Sequence, residues 1–253
     1  MDVDDLIRCI ADKAGETRQV VVALSGGVDS GLTAWAAHAA VGHRALAATV
    51  ASELTPARET GRAGEVAGQI GIGFRPIEIS VLHDLCVRAN EPDRCYHCKR
   101  LIFSVLSESF GPDTLFIDGT NADDDPLRPG LKALKEYNVF SPLRETGLGK
   151  ADIRALARSV GLPNWNTPSE SCLAARIPHG TPLDADALRV VEALEAHCHS
   201  LGVETLRVHY DDMVAIVEYL PQYAEIMNKN RESVVALGRR IGVRSCRFKE
   251  WTE

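Results

Sequence analysis

Six residues carry the strongest chemical signal in this chain: Ser25-Gly26-Gly27-Val28-Asp29-Ser30. Their types and spacing suit an anion cradle. Two adjacent glycines let backbone amides approach a phosphate with no Cβ in the way. Ser25 and Ser30 add hydroxyl donors, and Asp29 suits a metal ion that bridges phosphate oxygens. Such a cradle needs a strand before it and a helix start after it, so that free N–H groups and the helix dipole face the anion. VVVAL at 20–24 reads as a buried parallel strand, and GLTAWAA at 31–37 as the first turns of a helix. No Gly-x-x-x-x-Gly-Lys-Ser/Thr pattern occurs, so this is not a Walker A loop. A turn that merely joins strand to helix is the plainer alternative.

Further polar segments sit where such a site would use them. Asp118-Gly119-Thr120-Asn121-Ala122-Asp123-Asp124 follows the apolar TLFI at 114–117. Gly119 and Asn121 bring backbone donors and an amide to the ligand edge, and Ser52 joins them after a second apolar run. Asp123 and Asp124 read as magnesium ligands or as ordinary acids of a polar loop. Arg94-Cys95-Tyr96-His97-Cys98-Lys99 holds a Cys-x-x-Cys pair in what reads as a loop. Thioredoxin-like redox chemistry uses that spacing in another context, and zinc needs two more ligands. Cys172, in SCLAARIP, is the outstanding third cysteine. Three thiolates suit a [4Fe–4S] cluster that leaves one iron open. Cys172 also reads as a nucleophile beside Arg176, able to attack an adenylated carboxyl group. The plain alternatives are two loop thiols and one buried small hydrophobe. Cys9, Cys86, Cys198 and Cys246 show no partner pattern and are assigned to packing. Arg128, Arg176 and Arg207 are candidate clamps for a phosphate or carboxylate. His197 and His199, two apart on a helix, point away from each other and are read as solvated.

The elements that must position these residues alternate strand and helix as far as Gly161. Strands are expected over 18–24, 44–51, 74–79 and 114–118. Helices are expected over 2–14, 30–41, 56–70, 98–109, 131–137 and 150–160. That alternation implies an α/β fold: a Rossmann-like parallel sheet with helices on both faces and ligands at the strands' carboxyl ends. LPNWNTPSES at 162–171 reads as a linker or active-site loop. A helix at 184–198, a strand pair at 206–209 and 213–218 around Asp211-Asp212, a helical stretch at 221–240 and a strand at 243–248 make a small α+β unit. The expected domains are therefore 1–166 and 167–253. With 253 residues, 45% hydrophobic and 25% charged, the composition is that of an ordinary soluble protein. A net charge of −7 argues against a bulk electrostatic grip on nucleic acid, though not against a local basic patch. No apolar run is long enough to span a bilayer, and the acidic start lacks a secretory pattern. A cytoplasmic setting is expected, with seven reduced cysteines rather than a disulfide frame. A homo-oligomer is the expected assembly.

Ser25–Ser30 resembles the PP-loop of ATP pyrophosphatases, which cleave ATP between its α and β phosphates and adenylate a substrate. Together with Arg94–Lys99, FIDGTNADD at 116–124, Arg128-Pro129-Gly130, Ser141-Pro142-Leu143 and PSESCLAARIPHGT at 168–181, the chain resembles the LarE family of ATP-dependent sulfur transferases. The resemblance covers residues 20–181 in the right order. It implies a role in making a nickel-pincer nucleotide cofactor: a pyridinium mononucleotide carboxylate is adenylated with ATP and Mg²⁺, then converted to a thiocarboxylate. Some members sacrifice the sulfur of the cysteine matching Cys172. Others hold a [4Fe–4S] cluster on three cysteines, which Cys95, Cys98 and Cys172 match, fed by a sulfide or other sulfur donor. The C-terminal part departs from the family: its usual Arg-Val-Arg, which binds substrate phosphate, is here Arg207-Val208-His209. A tRNA thiolase, an amidating PP-loop synthetase of the NAD or GMP type and a non-catalytic nucleotide-binding module are the rival readings.

Overall fold

The structure, a computed structural model, describes residues 2–168 and 170–251. Ser169, inside the loop expected over 162–171, lies outside the described residues, as do Met1, Thr252 and Glu253. Two compact units divide the chain. The first takes residues 1–80 and 93–170, and the second takes 81–92 and 171–253.

In chain order the first unit holds α1 (Val3–Ala14), β1 (Val20–Ala23), α2 (Val28–Val41), β2 (Ala45–Ala51), α3 (Ala57–Ile70) and β3 (Gly73–Glu78). Between these and the rest lies α4 (Leu85–Ala89), which belongs to the second unit. The first unit resumes with α5 (Arg94–Phe110), β4 (Leu115–Ile117), α6 (Gly130–Glu136), α7 (Pro142–Glu145) and α8 (Lys150–Ser159). Its four strands are all parallel, in the order β3-β2-β1-β4. Val20 and Val22 enter one apolar cluster with α1, α2 and α8, while Val21 enters another with Phe103, Leu106 and Leu134. Burial on both faces explains why β1 is an unbroken apolar run rather than an alternating one. β3 is an edge strand, which is where Pro76 can sit without losing a ladder hydrogen bond.

From β1 the chain moves outward to β2 and β3, then returns to lay β4 on the other side of β1. The order reverses between β1 and β4, and such a switch point opens a crevice beyond the strands' carboxyl ends. The loops that enter it are the glycine turn after β1 and the Asp118–Asp124 segment after β4.

The expected elements differ from the observed ones in three places that matter. α2 starts at Val28 rather than 30, so Asp29 stands in its first turn. α5 starts at Arg94 rather than 98, so the cysteine pair is helical and not in a loop. Residues 81–92 join the second unit, ahead of the 167 boundary expected from sequence. Asn90 ties them there: fully buried and left-handed at φ 59°, it donates through Nδ2 to the carbonyls of Pro178 at 2.8 Å and Thr181 at 2.9 Å.

The second unit continues with α9 (Ala185–Ser200), β5 (Leu206–Asp211), β6 (Val214–Tyr219), α10 (Ala224–Arg240) and β7 (Ser245–Glu250). β5 and β6 pair antiparallel across a two-residue turn, and β7 adds parallel to β6. Leu206, Val208, Ala215, Val217 and Tyr219 are buried, whereas Arg207, His209, Glu218 and Lys249 lie on the opposite face.

Candidate functional site

The crevice is built from backbone outward. Gly26 adopts φ +86°, and a Cβ there would stand 2.9 Å from the Glu59 carbonyl oxygen of α3. Gly27 is the residue before α2, with extended backbone, and the helix's first amides open toward the crevice. Gly119 lets the second loop close in: a Cβ on it would lie 2.7 Å from the Ser30 amide nitrogen. The expected serine donors partly engage each other, with the Ser25 and Ser30 hydroxyls 3.1 Å apart and Ser30 Oγ donating to the Gly27 carbonyl at 3.2 Å. Ser52, at the end of β2, accepts the Leu54 amide at 3.3 Å and meets Thr55 Oγ1 at 3.2 Å. It stands one strand away from the glycine turn, at the same sheet edge.

Asp29 is the electrostatic centre. Its Oδ2 accepts from Asn121 Nδ2 at 3.0 Å and pairs with the Lys150 ammonium. Its Oδ1 is buried and has no hydrogen-bond partner among the described residues. A buried carboxylate oxygen left without a donor fits a divalent cation at that point. Asn121 is wholly buried and fixed at its backbone, its amide donating to Asp124 Oδ2 at 3.0 Å, so its Nδ2 is aimed rather than free.

Asp123, expected as a second magnesium ligand, is engaged elsewhere. Its Oδ2 accepts the Lys150 amide at 2.7 Å, which makes it an anion at the N-terminus of α8. Asp124 likewise serves the loop, binding Arg128 Nη1 at 2.7 Å. Arg128 is therefore held to its own loop.

Lys150 went unread in the sequence. One signal was there: a cation at the first position of a helix opposes the dipole, and Asp29 and Asp123 supply the compensation. Also unread was a carboxyl pair beside the glycine turn. Glu59 and Glu170 share a hydrogen bond, and Arg58 and Arg62 flank them, Arg58 pairing closely with Glu170 and Arg62 at 3.6 Å. Burial, and then the nearby Glu170 charge, push the Glu59 carboxyl up to about 7.

Cys95 and Cys98 lie one helical turn apart at the start of α5, on the same side, and Arg94 Nη2 is 3.9 Å from Cys95 Sγ. Cys95 is exposed and Cys98 half-buried. Cys172 belongs to the second unit, half-buried just before the single turn Leu173–Arg176. Among the described residues, no three His, Cys, Asp or Glu side chains gather into a metal-holding group.

Arg176, expected as a substrate clamp, is 3% exposed and fully committed within its unit. Nε donates to Glu195 Oε1 at 2.7 Å, Nη2 to Oε2 at 3.5 Å and Nη1 to Ser171 Oγ at 2.6 Å. Glu195 also accepts the Val208 amide at 2.9 Å, so one buried ion pair joins the Cys172 segment, α9 and β5. Arg207 stays on the open sheet face, its guanidinium 4.4 Å from the Trp251 ring centre. Beside it His209 Nε2 approaches Glu218 at 3.3 Å, and the Lys249 hydrogen bond holds the Glu218 carboxyl below its usual range.

Residues 2–94 match the family described as NAD synthase. The match covers the glycine turn and stops just short of the cysteine pair. A pyridinium-3,5-bisthiocarboxylic acid mononucleotide synthase of Lactiplantibacillus plantarum is 35% identical over 211 residues, covering 82% of this chain and 76% of that protein. The chain belongs to the LarE family. An uncharacterised protein of Synechocystis sp. is 34% identical over 215 residues, 82% of this chain and 79% of that one. More distantly, one component of the glutamine-hydrolysing GMP synthase of Methanococcus maripaludis is 29% identical over 167 residues, 59% of this chain and 52% of its own length. LarE membership makes this an ATP-dependent sulfur-transferring enzyme on a PP-loop fold. Among the described residues no helix is long and apolar enough to cross a membrane.

Proposed function

We propose that this enzyme uses ATP to activate a carboxylate of a pyridinium mononucleotide and replaces a carboxylate oxygen with sulfur, in nickel-pincer nucleotide synthesis. The observation that carries the reading is Asp29, set in the first turn of α2 with one buried oxygen unpartnered among the described residues and the other on Asn121 and Lys150. A divalent cation at Asp29 Oδ1 would supply charge neutralisation when bound. Ser25–Ser30 would hold the phosphates through main-chain amides, with Gly119 and Asn121 closing the crevice. Lys150, one side-chain swing from Asp29, supplies a second positive charge for the phosphates. The substrate carboxylate oxygen attacks the α-phosphorus, the bond to the bridging oxygen breaks and pyrophosphate leaves. A sulfur nucleophile then attacks the carboxyl carbon of the mixed anhydride, and AMP departs with the C–O electron pair. Positioning and charge neutralisation are the chain's contribution to the first step.

The sulfur end of the reading rests on residue types. Cys95 and Cys98, on one helical turn, and Cys172 would ligate a [4Fe–4S] cluster, which would supply a labile sulfide when bound. Arg207, half-buried beside Trp251, is the remaining clamp for the substrate's anionic groups. A reducing, cytoplasmic compartment, an external sulfur donor and a homo-oligomer complete the picture. The deciding experiment combines ATP, Mg²⁺ and the pyridinium dicarboxylate mononucleotide and measures pyrophosphate and thiocarboxylate. Formation of both supports the reading; pyrophosphate without sulfur transfer limits it to adenylation. Iron and sulfide analysis of anaerobically prepared protein tests the cluster. Iron-free protein that loses the mass of one sulfur per turnover would reassign the donor to Cys172 itself.

A further inference from the structure

We propose that Asn164 is a positioning residue for the nucleotide: it fixes the Gly26–Gly27 peptide so that the Gly27 N–H faces the phosphates. This rests on the reading of Ser25–Ser30 as the triphosphate cradle.

A peptide between two glycines is the easiest kind to flip, because neither side carries a Cβ to resist the change in backbone angles. A flip would turn a carbonyl oxygen toward the phosphates in place of an N–H and convert attraction into repulsion. Something must hold the plane. Asn164 is 3% exposed, and its Nδ2 donates to the Gly26 carbonyl at 3.0 Å, across 138 residues of chain. The peptide is trans, so the Gly26 carbonyl and the Gly27 N–H point in opposite directions. Pinning the carbonyl inward on Asn164 therefore aims the Gly27 N–H outward. Among the described residues that N–H meets Ser25 Oγ at a long 3.4 Å, which leaves it available to a stronger acceptor.

The loop that carries Asn164 is held at its backbone, while the side chain's buried Oδ1 has no partner among the described residues. Arg154 of α8 donates to the carbonyls of Trp165 at 3.2 Å and Thr167 at 3.0 Å, and Arg158 lies 5.0 Å from the Trp165 ring centre. The Thr167 amide closes a turn on the Asn164 carbonyl at 3.0 Å. On the helix side Gly31 makes room: a Cβ there would stand 2.9 Å from Asn164 Nδ2. The chain thus places a glycine inside α2, against helix propensity, to admit this side chain.

The test measures pyrophosphate, ATP and AMP affinity by calorimetry on the full-length protein, with steady-state pyrophosphate release. Asn164→Ala is expected to weaken pyrophosphate and ATP about tenfold, the scale of one charge-assisted hydrogen bond. KM for ATP should rise to match, kcat at saturating ATP should stay within about twofold, and AMP affinity should be unchanged. Asn164→Leu, which fills a similar space but cannot donate, should lose at least as much. Gly31→Ala, which displaces the amide from the other side, should reproduce the split and serves if the first variant does not fold. Folded Asn164→Ala protein that binds pyrophosphate like wild type overturns the inference. So does an equal loss for AMP and pyrophosphate, which is what a merely structural role would give. Wild-type protein that binds neither ATP nor pyrophosphate overturns the cradle reading itself, and the inference with it.

Discussion

The two units use their buried charge differently. In the first, Asp29 is surrounded by Asn121 and Lys150 yet keeps one oxygen without a donor among the described residues. In the second, Arg176 and Glu195 satisfy each other and also take in Ser171 and the Val208 amide. A buried charge left incomplete is costly and is retained where a ligand completes it. A completed one holds chain segments together. The same residue classes, read in sequence as site residues, therefore do opposite jobs, and the number of satisfied bonds separates them.

The largest effect should come from breaking the incomplete charge. Asp29→Asn keeps the shape and the Asn121 contact but removes the negative charge that would hold a cation. Pyrophosphate release is expected to fall at least about a thousandfold, at the scale of a lost electrostatic group in a phosphoryl or acyl transfer site. The thermal midpoint should stay within a few degrees of wild type, because the Asn121 contact is kept and the lost ion pair is to a side chain that is 41% exposed. Retained activity would remove Asp29 from the chemistry.

The completed charge should break the other way. Arg176→Met leaves Glu195 buried and unpaired, which costs on the order of 3–5 kcal/mol. A large drop in chemical-denaturation midpoint is expected, and any loss of activity should follow the loss of fold. Arg207→Ala, on the open sheet face, should cost under about 1 kcal/mol of stability and instead raise KM for the mononucleotide. If Arg176→Met were as stable as wild type and only raised that KM, the contrast between the units would be wrong.

Lys150 sharpens the comparison from within the first unit. Its ammonium pairs with Asp29, while its position at the start of α8 gains nothing from the helix dipole. Lys150→Met is expected to raise KM for ATP and lower kcat together, by about ten- to a hundredfold in kcat/KM, with little change in folding midpoint. The same variant should bind Mn²⁺ more tightly without nucleotide, measured by paramagnetic resonance, because Asp29 loses its internal cation. Unchanged Mn²⁺ affinity would separate Lys150 from the cation site.

How much of this was legible follows from how far apart the partners lie. β1 announced itself because burial on both faces leaves only apolar residues, and the glycine turn because its neighbours in sequence are its neighbours in space. The start of α5 was missed although Asp93 is a capping residue type: its side chain meets His97 at 3.2 Å instead of capping, and the Cys-x-x-Cys spacing reads as a loop. Residues 81–92 looked like part of the first unit, because the bonds that move them reach 88 and 91 residues ahead from Asn90. Lys150 meets Asp29 across 121 residues. Arg176 was visible as a special residue, but its role depended on Glu195, 19 positions on, among several acids of α9. Residue type told which groups were costly to bury; only the fold told which were completed.

The smallest expected effect concerns the carboxyl pair beside the glycine turn. Glu59, normally near 4.5, is pushed up to about 7 by burial and by Glu170. Between those two values the folded protein keeps a proton that the unfolded chain has released, so folding takes up protons there. Stability must then fall as pH rises from about 4.5 through about 7, with the full cost present above that range. Glu59→Gln keeps a donor toward Glu170 and removes the titration. It should match wild type near pH 4.5 and exceed it by a few degrees in thermal midpoint at about pH 8, where ionised Glu59 faces the Glu170 charge. Two parallel pH profiles would show that another group carries the dependence. Because the Glu59 carbonyl lies against Gly26, the same titration at fixed ATP shows whether the pair acts on the glycine turn: KM for ATP should rise above about pH 7 in wild type and stay level in the variant.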